Sequence, residues 1–322
     1  MVSRKPTVIS LFAGCGGSSL GYKWAGYREL LAIDFDENAV ETFKLNFPDV
    51  PCWKKDIRNV TGSEILKFCG IKKGDLDLLD ASPPCQGFSL SGKRNVNDPR
   101  NDLFLEFVRL INELEPKVFV MENVPGMVVG KMNGRFLEIM GVLKMLPYRV
   151  KCKLMNSMYY GVPQSRQRLI WIGIRNDINK EPSFPVPNNK TISVKKALEG
   201  LPSDTSVILK GLALQIWEKC KPGESFDRHH PEGHWFNGRK LNPHKPCPTI
   251  SATVSPNGGG GLFHWEFPRC LNIGELKRLS SFPDDFKFTG SFRQQWARIG
   301  NAVMPKFMEA IASHIIETVF VS

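Results

Sequence analysis

The sequence predicts an α/β protein built on a parallel sheet with helices on both faces. Three observations carry that prediction. Short β-branched apolar runs alternate with stretches of helical periodicity from Thr7 to Ile174. The first run ends in glycines and leads directly into a helix. Beyond Asn176 the alternation stops, and prolines, glycines and histidines take over as far as Pro246.

The elements follow in order. Thr7 to Phe12 (TVISLF) reads as a buried strand, and the stretch to Ala25 as an amphipathic helix. Glu29 to Ile33 is a second strand ending at Asp34, and Glu37 to Asn46 a helix. Asp77 to Asp80 is a strand running into the turn Pro83-Pro84-Cys85. Leu103, Phe104, Phe107, Leu110, Ile111 and Leu114 repeat at helical spacing, and Pro116 ends that helix. Val118 to Met121 and Arg168 to Ile174 are further strands. NDINKEPSFPVPNNK looks like a linker, and RHHPEGHWFNGRKLNPHKPCPT like loops of a small irregular domain. From Asn301 to Val319 the chain is helical again, with Val303, Phe307, Ile311 and Ile315 on one stripe.

At about 150 residues per domain, 322 residues suggest one large and one smaller domain. Forty-three basic against 32 acidic residues give +11, which suits either solubility or a polyanionic partner such as nucleic acid. The eight cysteines include no Cys-x-x-Cys pair, so a metal site is not expected and reduced thiols are. The start is too short in apolar residues for a secretory signal, and no run is long enough to span a membrane, which points to the cytoplasm.

Two stretches carry chemistry. The turn Gly14-Cys15-Gly16-Gly17 lets backbone approach a ligand at a helix N-terminus. Asp34 follows 20 positions after Gly14 and can accept both hydroxyls of a ribose. The dinucleotide fingerprint is incomplete, since GCGGSS has no third glycine at the required offset, which argues against a nicotinamide dehydrogenase. A ligand without pyrophosphate, such as S-adenosylmethionine, fits better. Phe35 can stack on its adenine and Asp56 can accept from the amino group. The second stretch is Cys85, held by two prolines beyond a strand end, where ligands bind in such sheets. Glu122 and the pair Arg166 and Arg168 are its candidate partners. Each also has a plain reading: a loop cysteine, a capping carboxylate and a solvated pair.

SLFAGCGG, SPPCQGFS, MENVPG, GVPQSRQRLIWIG, CPTISA and IGNAVMP occur in this order. Together they resemble the motif set of the DNA (cytosine-5)-methyltransferases of bacterial restriction–modification systems. The resemblance covers residues 8 to 174 and 247 to 315. It implies a Rossmann-like S-adenosylmethionine-dependent methyltransferase sheet with a second, smaller irregular target-recognition domain. The implied division is 1–185 catalytic, 186–289 target recognition and hinge, and 290–322 returning to the catalytic part.

The resemblance also implies the chemistry. Cys85 adds to carbon 6 of a flipped-out cytosine, Glu122 holds or protonates nitrogen 3, and Arg168 and Arg166 hold the pyrimidine oxygen and the reactive loop. The methyl group goes to carbon 5 and S-adenosylhomocysteine is left. The cofactor contacts map onto Phe12, Gly14, Gly16, Gly17, Asp34, Phe35, Asp56, Ile57, Pro84, Leu103, Asn301 and Val303. DNA contacts are expected from Gln86, Ser89, Ser91, Thr249, Arg228 and Arg239, with Lys240, His229, His230 and Asn237 as further candidates. Gln86 to Asn101 suits a lid. The implied partner is double-stranded DNA, met by a monomer in the nucleoid, with room for a restriction endonuclease acting on the same site without direct contact. Ser10 departs from the family's usual Asp before LFAG, and Gly274 replaces an arginine. The alternatives are a transfer-RNA cytosine-5 methyltransferase of the same fold, disfavoured by the absence of a Cys-Phe-Thr element, and a non-catalytic DNA-binding relative.

Overall fold

The computed structural model describes residues 4–84, 103–128, 133–202, 208–233, 238–255 and 260–321. Contacts divide the chain into two compact units, one of Met1–Asn156, Gln167–Val186 and Met308–Ser322, the other of Ser157–Arg166 and Pro187–Phe307.

The first unit holds a seven-stranded sheet. Its strands are β1 (Thr7–Leu11), β2 (Arg28–Asp34), β3 (Cys52–Lys54), β4 (Leu78–Ala81), β5 (Val118–Asn123), β6 (Tyr148–Asn156) and β7 (Gln167–Arg175), in the order β3-β2-β1-β4-β5-β7-β6. β1 to β5 are parallel, whereas β7 runs antiparallel to both β5 and β6. The order reverses between β1 and β4, the switch point beside which ligands of such sheets bind.

One face packs Ile9, Leu11, Leu79, Phe119, Met121 and Trp171 against α3 (Gly62–Cys69), α4 (Leu103–Leu114) and α5 (Asn133–Lys144). These sheet residues alternate along their strands, so successive side chains point to opposite faces. α1 (Gly17–Ala25) and α2 (Glu37–Asn46) contact β1, β2 and β3. Tyr27 Oη donates to the carbonyl of Ala312, 3.3 Å away in α10 (Pro305–Ile315). Gly173 in β7 faces the Phe119 ring, where a Cβ would come within 2.1 Å. The glycine in RLIWIGI thus marks close approach.

Three readings of the sequence change. β7 is not parallel: β6 and β7 are joined through residues 157–166 with no crossover helix, and a parallel connection needs about a dozen residues or more. The presumed linker packs on the first unit up to Val186, with Arg149 donating to Ile178 O at 2.9 Å and the Lys153 ammonium 5.8 Å from the Phe184 ring centre. The last helix starts later than expected: α9 (Phe292–Asn301) closes at Asn301, and Pro305 opens α10, which a π turn continues from Ile316 to Phe320. Val303, Phe307, Ile311 and Ile315 are all buried, as the stripe required.

The second unit carries α6 (Val194–Ala197), α7 (Gly211–Lys219), the short parallel pair β8 (Arg239–Lys240) and β9 (Leu262–Phe263), α8 (Ile273–Leu279) and α9. Phe226 stacks on Phe263 at 4.6 Å within a core that includes Leu241, Leu271, Leu276 and Trp296. Capping boxes at Asn272/Glu275 and Ser291/Gln294 start α8 and α9.

Candidate active site

Because β1, β2, β4 and β5 are parallel, their carboxyl ends share one edge of the sheet, which carries the Gly14 turn, Asp34, Pro84 and Glu122. The backbone turns sharply after β1: Phe12, Gly14 and Gly16 all have positive φ. Asp34 at the end of β2 accepts the Gly14 amide at 2.8 Å on one oxygen and the Asp36 amide at 2.9 Å on the other. The carboxylate therefore also shapes the loop. A Cβ on Gly14 would meet no described residue within 4 Å, so among the described residues open space lies over the loop at the start of α1. Phe35 is 75% exposed, an unusual state for a phenylalanine with a flat ring to offer.

Gly16 is constrained twice, by a φ of 91° and by the Phe47 ring, which a Cβ would approach to 2.4 Å. Gly16→Ala is expected to cost about 2–5 kcal/mol, combining left-handed strain with overpacking. Denaturant unfolding checks this: a midpoint within error of the parent would show that Phe47 gives way freely.

At the end of β5, Glu122 is 9% exposed and its Oε1 lies 2.5 Å from Arg168 Nε. Burial pulls the Arg168 guanidinium below its ordinary pKa, and Glu122 opposes that pull. Glu122 thus gives the buried guanidinium a direct polar partner. Asn123 had not been singled out from the sequence. Its Nδ2 donates to Pro83 O at 3.2 Å and its Oδ1 accepts the Val124 amide at 2.8 Å, tying the turn after β5 to the turn after β4. The signal was present in the ENV triplet. Pro84 and Leu103 are half-buried, and Ile57 is buried in the core below.

Other expected residues are placed differently. Asp56 is held by Arg58, with Nε at 3.0 Å from Oδ1, and this partner keeps its carboxyl below the usual range. Arg166 and Arg168 do not share a strand. Arg166 precedes β7, belongs to the second unit and donates to Ile250 O at 2.8 Å. There Thr249 Oγ1 donates to Ser165 O at 3.0 Å, so QSR braces CPTIS. Asn301 is exposed and Val303 buried, both in the second unit. Arg239 is exposed, and Arg228 is exposed beside Glu224 at 3.1 Å. Lys240 turns inward, with Nζ donating to Trp217 O at 3.1 Å and lying 3.5 Å from the Trp217 ring centre. Cys85, Gln86, Ser89, Ser91 and Asn237 lie outside the described residues.

A buried acid accompanies the site. Asp80 on β4 is 2% exposed, stands in register with Ser10 of β1, and accepts from Tyr22 Oη of α1 at 3.0 Å. Burial, then the negative Glu29 and Glu122, push its carboxyl up to about 8 despite the Tyr22 bond. The folded chain thus keeps a proton that the unfolded chain releases near pH 4, and stability contributed below that pH is lost as pH rises towards about 8. Asp80→Asn is expected to flatten the loss of stability across that window, by a few kcal/mol in total, read from denaturant unfolding at each pH. A variant that loses stability as steeply as the parent would contradict the assignment.

The sheet order with its reversed β7 and the glycine–carboxylate loop define a Rossmann-like methyltransferase. A protein described as a DNA modification methyltransferase encoded within an E. coli prophage has a solved structure that superposes with a TM-score of 0.81 at 25% identity, covering 98% of this chain and 99% of that one. Spodoptera frugiperda DNMT2 shares the fold at a TM-score of 0.73 and 19% identity, over 98% of this chain and 100% of that one. The chain belongs to the C-5 cytosine-specific DNA methylase family, whose model matches residues 6–317. It is 35% identical to the Type II methyltransferase M1.HphI of Haemophilus parahaemolyticus, over 97% of this chain and 87% of that protein. M.DdeI of Desulfomicrobium norvegicum is 32% identical over 96% of this chain and 88% of that protein. The enzyme is a DNA (cytosine-5)-methyltransferase of the restriction–modification type. Among the described residues no helix is long and apolar enough to cross a membrane.

Proposed function

We propose that the chain methylates carbon 5 of a cytosine flipped out of double-stranded DNA, using S-adenosylmethionine and a transient bond from Cys85. The observation that carries this reading is the buried Glu122–Arg168 pair on the edge that also bears the Gly14 turn and Asp34. S-adenosylmethionine, when bound, supplies the methyl sulfonium. The residues present fit it: open space above Gly14, a carboxylate at the end of β2, an exposed ring at Phe35, and no third glycine for a pyrophosphate.

Carbon 5 of cytosine is a poor nucleophile. Addition of the Cys85 thiolate at carbon 6 makes the ring an enamine, whose carbon 5 takes the methyl group. Glu122 donates a hydrogen bond or proton to ring nitrogen 3 and so receives the charge pushed into the ring. Arg168 orients Glu122 and the pyrimidine oxygen. Loss of the carbon-5 proton to a base then expels the thiolate. Six of the other seven thiols support Cys85 by contrast. Burial pushes Cys52, Cys152 and Cys270 up to about 12 and Cys69 up to about 11, and raises Cys220 and Cys247 as well. Such thiols are poor sources of the attacking thiolate.

In this reading residues 186–289 read the target, Arg228 and Arg239 face DNA, Asn301 and Val303 complete the cofactor site, and the chain acts as a monomer. The test is transfer of label from methyl-labelled S-adenosylmethionine to bacterial DNA, followed by nucleoside analysis. Labelled 5-methylcytosine in DNA and none in transfer RNA is expected. Label in RNA alone would replace this reading with the transfer-RNA enzyme.

A further inference from the structure

The geometry points to a zinc-class metal site in the second unit, formed by Cys220, Glu224 and His229. The sulfur, a carboxylate oxygen and an imidazole nitrogen lie within 4.8 Å of one another, with Cys220 buried and the other two half-buried. Glu224 Oε2 and His229 Nε2 are already 3.3 Å apart. Zinc bonds of about 2.0–2.3 Å place tetrahedral ligands about 3.3–3.8 Å from one another. The cluster therefore needs to close by about 1 Å, which rotation of the half-buried Glu224 and His229 side chains can supply.

The fold brings these residues together from three short pieces. Cys220 caps the C-terminus of α7, Glu224 closes the tight turn after it, and His229 caps the 3-10 turn Phe226–Arg228. Backbone bonds hold this loop against β8: the Gly223 amide donates to Lys240 O at 2.9 Å, and the Lys240 amide to Glu224 O at 3.0 Å. The absence of a Cys-x-x-Cys pair told against metal in the sequence. Here the spacing is Cys-x3-Glu-x4-His, with three residue types that no cysteine count reveals.

The donor set selects the ion. A thiolate disfavours magnesium and calcium, while sulfur, nitrogen and oxygen together suit a borderline divalent ion. Water takes the fourth position. Each donor has a present partner that the ion replaces. Cys220 Sγ lies 3.8 Å from Ser225 O, Glu224 Oε1 accepts from Arg228 at 3.1 Å, and Glu224 Oε2 also accepts the Lys221 amide at 2.9 Å. Binding releases the Cys220 thiol proton to solvent, exchanges Arg228 for the metal, and leaves His229 neutral with Nε2 on the ion. The ion pins the end of α7 to the loop that supports exposed Arg239. In a unit with little regular secondary structure, that is a staple.

The experiment uses the 322-residue chain without a histidine tag. Metal is stripped with a chelator and one equivalent of cobalt(II) is added. A thiolate-to-cobalt charge-transfer band with intense tetrahedral visible bands is expected, reversed by zinc. Cys220→Ser should lose the charge-transfer band, and His229→Gln should weaken zinc binding by about tenfold or more. Circular dichroism confirms that each variant is folded, and His229→Gln serves if Cys220→Ser is not. No thiolate–cobalt band in the parent chain overturns the proposal. So does an unchanged spectrum in folded Cys220→Ser, or unchanged zinc affinity in His229→Gln.

Discussion

Glu122→Gln is expected to lower turnover by about 100- to 10,000-fold, the range typical for a lost general acid, with little change in S-adenosylmethionine affinity. The amide fills the same space at the end of β5 but cannot deliver a proton to nitrogen 3. The Gly14 loop is built separately, by Asp34 on the Gly14 and Asp36 amides. The substitution has a second effect. Arg168 then stays buried without its counter-ion, and breaking such a pair typically costs about 3–5 kcal/mol. Turnover is therefore compared with unfolding midpoint and with cofactor affinity by calorimetry. A folded variant with near-normal turnover removes Glu122 from the reaction. A variant that loses turnover and cofactor binding in step assigns it a structural role instead.

The second large effect concerns Cys85. A target duplex carrying 5-fluorocytosine should be methylated once and then stay bonded to the enzyme, because fluorine cannot leave carbon 5 as a cation. The adduct requires S-adenosylmethionine, since without methyl transfer the addition reverses. It should survive denaturing electrophoresis with the mass of protein plus methylated oligonucleotide, and peptide mapping should place it on Cys85. Cys85→Ser should abolish both adduct and activity, because a hydroxyl supplies almost no anion near neutrality. An adduct on another cysteine, or activity retained in Cys85→Ser, defeats the assignment.

The central strands were legible because buried parallel strands read as continuous β-branched runs, as in TVISL and VFVM. β6 was not, since YRVKCKLMN alternates lysine and arginine with apolar residues in the manner of a sheet edge. The direction of β7 is absent from its own sequence, for RLIWIGI is equally apolar either way. It follows from the short connection before it. Asp34 and Glu122 were found because strand-end carboxylates stand out. The separation of Arg166 from Arg168 was hidden, because the two-residue period holds only where the strand has begun, and β7 begins at Gln167. The inward turn of Lys240 was hidden for a related reason: a lysine beside Trp217 lays its ammonium on the ring, and composition cannot say which way it turns.

The reversal of β7 makes the Glu122–Arg168 contact a matter of parity. Glu122 stands opposite Ile170 and Asn123 opposite Leu169, so Arg168 is the diagonal neighbour on Glu122's own side of the sheet. A shift of β7 by an odd number of residues would send the guanidinium into the apolar layer around Leu169 and Trp171. An even shift would keep the side but carry it about 6.6 Å or more along the strand, out of reach. An insertion between Arg168 and Ile170 would therefore break the contact whatever its chemistry. One residue added there would part the guanidinium from Glu122.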